Sequence, residues 1–321
     1  MLDPGHGNAR VGWRSGRRGR AGHAGRAPVT RDAEGEAGMI ELSGVPKLSR
    51  PVMVTAFEGW NDAADSATDA IEALESGWDA KPLGALDPED YYDFQVNRPT
   101  VSLVDGVSRR VSWPTTRLSL ASSVPGRRDI VLVRGLEPNM RWRSFCGEII
   151  EAAIGLGVEE VVNLGALLSD SPHSRPVPVT GTAVDGETAR RLGLEQSRYE
   201  GPTGIVGVFN DACIQAGLPA VSLWAAVPHY VAQAPCPKAT LALLRNLEDV
   251  LETTIPYGDL AEMSEAWERG VDQLAEEDSE VAEYVRTLER QKDEAELPEA
   301  SGEAIAREFE RYLRHRRDGS A

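Results

Sequence analysis

Four short runs along the chain are apolar at nearly every position: Pro51-Val-Met-Val-Thr-Ala-Phe57, Asp129-Ile-Val-Leu-Val-Arg134, Glu160-Val-Val-Asn163-Leu-Gly165-Ala166 and Pro219-Ala-Val-Ser-Leu-Trp-Ala-Ala-Val227. None shows the polar–apolar alternation of a half-exposed strand, so each predicts a strand buried on both faces. Helical spacing follows. A helix is expected from a cap at Asn61 or Asp62 to about Ser76, with Gly77 ending it. Phe145, Cys146, Ile149, Ile150, Ala153 and Ile154 mark a second, closed by Gly155 and Gly157, and Leu243, Leu244, Leu247, Val250 and Leu251 share one face of another. Strands and helices alternating in this way predict an α/β fold whose mostly parallel sheet is covered on both sides.

Two stretches depart from that pattern. Thr100-Val-Ser-Leu-Val-Asp105-Gly106-Val-Ser-Arg-Arg-Val-Ser-Trp113 places an Asp-Gly turn between alternating runs, a β-hairpin signature. The hairpin is expected at the edge of the sheet, with Arg117-Leu-Ser-Leu-Ala121 extending it, a position suited to holding partners. After Pro256-Tyr-Gly258 the apolar residues thin to one stripe per helix: Leu260, Met263, Trp267, Val271 and Leu274, then Val281, Tyr284, Val285 and Leu288. Beyond a break at Leu297-Pro298, Ile305, Phe309 and Leu313 predict a last helix. These helices pack on the body or each other, or zip against another subunit. The expected organisation is a leader over 1–38, an α/β domain over 39–258 and an acidic helical tail over 259–321.

Residues 1–38 hold nine Gly and seven Arg with no period and no apolar h-region, so they are expected to be disordered and are not a secretory signal. Patterned sequence starts at Met39, which is the expected natural start; a basic arm for nucleic acid is the alternative. The chain has 321 residues and a formal charge of −17, and residues 259–321 carry nineteen acids against nine bases. Such a surface repels phosphate backbones and anionic lipid, so neither nucleic acid nor membrane is an expected partner. No run approaches the ~18–20 apolar residues that cross a bilayer. Cys146, Cys213 and Cys236 are far apart, odd in number and set in apolar segments, which predicts reduced, buried thiols in a cytoplasmic protein.

Most familiar chemical motifs are missing: the GxxxxGK[ST] phosphate loop, GxGxxG after a strand, HExxH and GxSxG. Three loops place polar residues after buried strands, where α/β ligand sites gather. In Glu58-Gly59-Trp60-Asn61-Asp62, Glu58 is a candidate acid or base and Trp60 a stacking platform, or the loop is a helix cap with an aromatic anchor. Asn163 with Ser169-Asp170-Ser171-Pro172-His173-Ser174-Arg175 combines groups of hydrolytic chemistry, or is a Pro-punctuated surface loop. Glu200-Gly201-Pro202-Thr203-Gly204 leads into a helix whose free N–H groups suit an anion, or lets two backbones pack closely.

Five segments, in order, resemble the proteasome assembly chaperone two (PAC-two) family in its actinobacterial form: Phe57-Glu-Gly-Trp-Asn-Asp62, Leu132-Val-Arg-Gly-Leu-Glu-Pro138, Val162-Asn-Leu-Gly-Ala-Leu167, Tyr199-Glu-Gly-Pro-Thr-Gly204 and Leu223-Trp-Ala-Ala-Val-Pro-His-Tyr230. The resemblance spans roughly Met39 to Tyr257. It implies a three-layer α/β/α fold similar to nucleoside phosphorylases, self- or hetero-association, and a role in 20S proteasome assembly without nucleotide hydrolysis; no cofactor is expected. Relatives that dock into proteasome pockets end in a hydrophobic-Tyr-any tripeptide, whereas this sequence ends Asp318-Gly-Ser-Ala321. The expected function is a non-catalytic scaffold or assembly factor with protein partners, proteasome-related or further copies of itself as a homo-oligomer. The alternative is a small-molecule binder or phosphorylase/hydrolase-like enzyme. The pooled pocket candidates are Glu58, Trp60, Asn61, Asp62, Arg134, Asn163, His173, Thr203, Gly204 and His229.

Overall fold

The computed structural model describes Ile40, Leu42, residues 45–122, Val124, residues 128–183 and residues 200–296. Within them β1 (Val52–Glu58), β2 (Lys81–Ala85), β5 (Arg117–Ala121), β6 (Ile130–Leu136), β7 (Glu160–Ser169), β8 (Val179–Ala183) and β9 (Ala220–Pro228) form one sheet in the order β2-β5-β6-β1-β7-β9-β8. The four runs read as apolar strands are the four in the middle, β6-β1-β7-β9, all parallel. Strands β5 and β2 add antiparallel on one side and β8 on the other.

Two-sided burial explains why these runs lack alternation. Successive strand residues face opposite ways. Val52, Val54 and Ala56 enter one core cluster with α1 (Ser66–Gly77) and α4 (Pro237–Leu251). Met53 and Phe57 enter the other with α2 (Trp142–Gly155) and α3 (Ile205–Gln215). The result is the three-layer α/β/α arrangement. Phe57 meets Phe145 and Phe209 edge-on at centroid distances of 5.6 and 6.1 Å, and Tyr91 meets Phe145 at 5.4 Å, so one aromatic group joins β1, α2 and α3. Each such side chain stabilises the fold by roughly 1.5–3 kcal/mol on burial.

The hairpin forms as β3 (Thr100–Val104) and β4 (Ser108–Ser112), turning through Asp105 and Gly106 at φ of 54° and 70°. It makes a two-stranded sheet of its own. Arg117–Ala121 does not extend it: β5 lies inside the main sheet, where Ser119 is buried and donates to Glu75 Oε1 at 2.8 Å. Its apolar–polar alternation marked an interior strand whose one hydroxyl finds a partner. Strands β2 and β8 gave no strand signal. The first contains Pro82 and Gly84, with a bulge between them that an edge tolerates; the second is the short run Val-Thr-Gly-Thr-Ala.

Two tail helices are described, α5 (Leu260–Glu277) and α6 (Ser279–Glu296), the second opened by Asp278 Oδ1 accepting from Glu280 N at 2.9 Å. The predicted stripe of α5 holds at Leu260, Trp267 and Val271 and shifts by one residue at two positions: Met263 and Leu274 are exposed, while Ser264 and Ala275 are buried. Small residues, Ser264 and Ala275, join Trp267 and Val271 on the packed side of α5. The leader and the helix expected around Ile305, Phe309 and Leu313 lie outside the described residues. All three cysteines are buried and unpaired, and burial pushes the Cys146 and Cys213 thiols up to about 12. No described helix is long and apolar enough to cross a membrane.

Strand β6 has one position where volume is fixed from outside the strand. A Cβ on Gly135 would fall 2.2 Å from Thr116 Oγ1 and 2.6 Å from its Cα. Gly135→Ala is therefore expected to lower unfolding free energy by about 1–3 kcal/mol in urea titration; wild-type stability would refute this packing.

Candidate functional site

The loop after β1 is built by backbone bonds to its neighbours. Glu58 O accepts from Glu137 N at 2.8 Å, and Asn61 O accepts from Ala166 N at 2.8 Å, so the loop is tied to the ends of both β6 and β7. Gly59 turns at φ +131°, a conformation that favours glycine. Asp62 then caps α1: Oδ1 accepts from Ala67 N at 2.6 Å, and Oδ2 from Thr68 N at 3.2 Å and from the Thr68 hydroxyl. Burial nevertheless outweighs these bonds and raises its pKa to about 6.

The Gly-rich turn before α3 is filled by the protein's own acceptors. Ile205 N donates to Glu137 Oε1 at 2.9 Å and Val206 N to Asn61 Oδ1 at 3.2 Å. Gly204 is required because a Cβ there would lie 2.1 Å from Asn61 Oδ1, and Thr203 Oγ1 occupies the corresponding space above Gly207. The close-packing reading of Thr203-Gly204 is the one this geometry fits. Asn163, fully buried, accepts from Thr55 Oγ1 at 2.7 Å and donates to Asn210 Oδ1 at 3.1 Å, joining β1, β7 and α3.

On the α1 side, Arg134 reaches Glu72 and Glu75 at 2.9 Å each. It stands among more carboxylates than one guanidinium neutralises. Burial, then Asp65 and Glu72, push Asp69 up to about 6 against the opposing pull of Arg134; burial and Asp65 likewise raise Glu58. Trp60, beside Glu58 in sequence, is 66% exposed.

The Ser169–Pro176 loop serves a different purpose. His173 is 2% exposed; the Tyr230 hydroxyl oxygen accepts from its backbone N–H at 2.8 Å and lies 2.7 Å from Nδ1, while Nε2 lies 3.0 Å from Asp272 Oδ1 on α5. Both ring nitrogens of this buried histidine thus have a hydrogen-bonding partner, Tyr230 on one side and Asp272 on the other. Lys238 Nζ donates to His173 O and pairs with Glu268 at 2.5 Å. Ser174 donates to Glu289, and Arg175 grips Asp293 through two 2.8 Å bonds, holding that carboxyl below its usual range. Asp170 Oδ1 accepts from Tyr284 at 3.1 Å and lies 3.1 Å from His229 Nδ1, whose ring meets Tyr284 edge-on at 5.5 Å. The loop is the seat of α5 and α6.

The ten candidates thus divide. Glu58, Trp60, Asn61, Asp62, Arg134, Thr203 and Gly204 collect around the ends of β1 and β6; Asn163 sits within the sheet; His173 and His229 belong to the tail seat. Sequence reasoning passed over Glu137, although it stood in the quoted Leu132–Pro138 motif, and the buried hydrogen bond between Tyr91 and Glu148. Only a lone carboxylate straight after a buried strand signalled Glu137, and nothing local signalled a bond spanning 57 residues. Among the described residues no cluster of three or more His, Cys, Asp or Glu is placed to hold a metal ion.

A family model described as PAC2 family matches residues 56–275, running from β1 to the end of α5. The chain belongs to the PAC2 family. Its solved relatives include a PAC2 family protein from Streptomyces avermitilis, 62% identical, with a TM-score of 0.70 over 73% of this chain and 99% of that one. A proteasome-assembly chaperone homologue from Mycobacterium tuberculosis is 55% identical, with a TM-score of 0.68 over 73% and 99%. An archaeal proteasome activator from Pyrococcus furiosus, 15% identical over 74% and 98%, shares the fold at a TM-score of 0.60. No curated protein matches the chain. These PAC2 relatives are of the actinobacterial type.

The carboxylates around Arg134 give a pH signature. Asp69 has a folded pKa of about 6, above its unfolded value. The stability it contributes is full below pH about 4 and lost as pH rises through the folded value. Asp69→Asn is therefore expected to raise the melting temperature, and by more at pH 8 than at pH 5; an equal shift at both would remove the charge argument. His173→Ala leaves Tyr230 and Asp272 without their shared partner, and is expected to cost about 2–4 kcal/mol in denaturant unfolding. Amides of α5 should then exchange faster than those of β1; unaltered α5 exchange would contradict the seat.

Proposed function

We propose that this PAC2 family chain is a non-catalytic protein-binding scaffold, a proteasome-assembly-chaperone-like factor acting in the cytosol on proteasome-related proteins and on copies of itself. One observation carries the reading. Polar groups with the means for strand-end chemistry are engaged in holding the fold: Asn61 and Glu137 on the first N–H groups of α3, Asp62 on α1, His173 on α5. Solvent instead meets an exposed hairpin and an acidic helical pair. The Mycobacterium tuberculosis relative, a proteasome-assembly chaperone homologue, supports the same direction.

A second reading has one observation in its favour. The raised pKa values of Glu58 and Asp69 beside exposed Trp60 are of the kind found where a carboxyl meets a ligand. That reading makes the β1 loop a small-molecule site, and thermal shifts across a metabolite panel that vanish in Glu58→Gln would favour it.

Purified actinobacterial 20S α and β subunits, mixed with the full chain, test the scaffold. The expected result is a stable complex with unassembled subunits and an altered rate of particle formation on native gels. Absence of both binding and rate change, with a metabolite shift that depends on Glu58, would replace the scaffold with the ligand-binding reading.

A further inference from the structure

Trp60, Leu167 and Leu168 stand exposed by 66, 44 and 51% at the C-terminal tips of β1 and β7. Backbone ties make them neighbours: Asn61 O accepts from Ala166 N at 2.8 Å, and Asp62 and Ala166 form a parallel bridge. Strand β7 runs on with β9 to Ser169, so Leu167 and Leu168 lie past that last bridge to the β1 loop. The loop under Trp60 is pinned on its other side as well, since Glu58 O accepts from Glu137 N at 2.8 Å and Asp62 caps α1. An indole carried on so fixed a loop loses little freedom when it is covered, which is the character of an interface anchor. Helix α6 marks where the row stops, with Tyr284 donating to Asp170 and its ring against His229.

Charge indicates what covers this row. Its α1 side is acidic: Glu58 ends β1, Asp65 stands just before α1, and Asp69 and Glu72 lie on the first turns of that helix. Arg134 is taken up by Glu72 and Glu75 at 2.9 Å each, while Glu58, Asp65 and Asp69 form no ion pair among the described residues. Even with Arg117, opposite Arg134 in the β5–β6 register, the carboxylates outnumber the guanidiniums. Burial, then Asp65 and Glu72, raise Asp69 to about 6, so the group has unmet demand for positive charge. An exposed indole face attracts cations too. A bare apolar row beside unneutralised carboxylates is complementary to a segment that carries both apolar and cationic side chains.

We propose that the strand-tip row of Trp60, Leu167 and Leu168 docks a basic segment of a partner protein, its apolar side chains on that row and its arginines or lysines toward Glu58, Asp65 and Asp69. Apolar contact with the indole supplies the anchor, and the carboxylates select cationic segments over acidic ones. This deepens the protein-binding reading by naming a surface and the chemistry of its occupant, and it rests on that reading.

Fluorescence polarisation on the full chain tests it, with a fluorescein-labelled peptide alternating leucine and arginine as the probe. The peptide is expected to bind, more weakly as salt rises. Versions with serine for leucine, or with glutamate for arginine, should bind about tenfold more weakly or worse. Trp60→Ala, and separately Glu58→Gln with Asp69→Asn, should each weaken the leucine–arginine peptide about tenfold. The melting temperature of Trp60→Ala should stay at the wild-type value, since the side chain is exposed. No binding, equal affinity for the serine version, or binding indifferent to Trp60→Ala overturns the proposal. So does free arginine amide competing as well as the peptide, which would make the row a small-cation site. A Trp60-dependent change in the sedimentation of the chain alone would give the row to a second copy, and likewise overturn it. Binding of 20S subunits untouched by Trp60→Ala would remove this surface and leave the scaffold standing; a Trp60-dependent peptide complex in a chain blind to those subunits would leave the surface standing and count against the proteasome role.

Discussion

Covering both faces of the parallel β6-β1-β7-β9 strands is the constraint from which the rest of the structure follows. A strand with helices above and below has no dry position for an unpaired polar group, so polar side chains are either paired within the sheet or carried to its ends. Thr55, Asn163 and Asn210 take the first course as a short buried relay. Glu58, Asn61, Asp62 and Glu137 take the second, and the helices packed on the sheet then need them: α1 begins on Asp62 and α3 on Asn61 and Glu137. Segments that look like reagents in one dimension are fasteners in three.

The same constraint explains what could be read in the sequence. Continuous apolar runs announced the four central strands because burial on both faces asks for apolar side chains at nearly every position, and their shortness and β-branched content set them apart from buried helices. The flanking strands announced nothing. Lys81–Ala85 holds a proline and a bulge, Val179–Ala183 is short and small-sided, and Arg117–Ala121 alternated in a way that matched a hairpin better than an interior strand. In α5 the larger apolar residues misled, since the closely packed seam selects Ser264 and Ala275 and leaves Met263 and Leu274 in water.

The candidate site was legible as a set of segments and not as a geometry. All five motif segments contain residues that touch across the sheet ends or the tail seat, but their roles depend on partners far along the chain. His173 is 57 residues from Tyr230 and 99 from Asp272, and Asn61 is 145 from Val206. A Ser-Asp-Ser-Pro-His-Ser-Arg run reads as chemistry until the helices it holds are in view. Nor did spacing suggest that five carboxylates would gather near a single arginine, because α1 brings Asp69, Glu72 and Glu75 from successive turns onto the end of β6, where Glu58 and Asp65 join them.

The mode of attachment differs between the two tail helices. Helix α5 sets Trp267 against the core and holds His173 and Lys238 through Asp272 and Glu268, whereas α6, with Val285 and Leu288 buried, reaches the Asp170–Arg175 loop through Tyr284, Glu289 and Asp293. Partly exposed ionic contacts of that sort weaken as counterions accumulate, while apolar packing does not. Counterions therefore press on both helices at these polar seats, while the apolar part of each, at Trp267 and at Val285 with Leu288, is left unscreened.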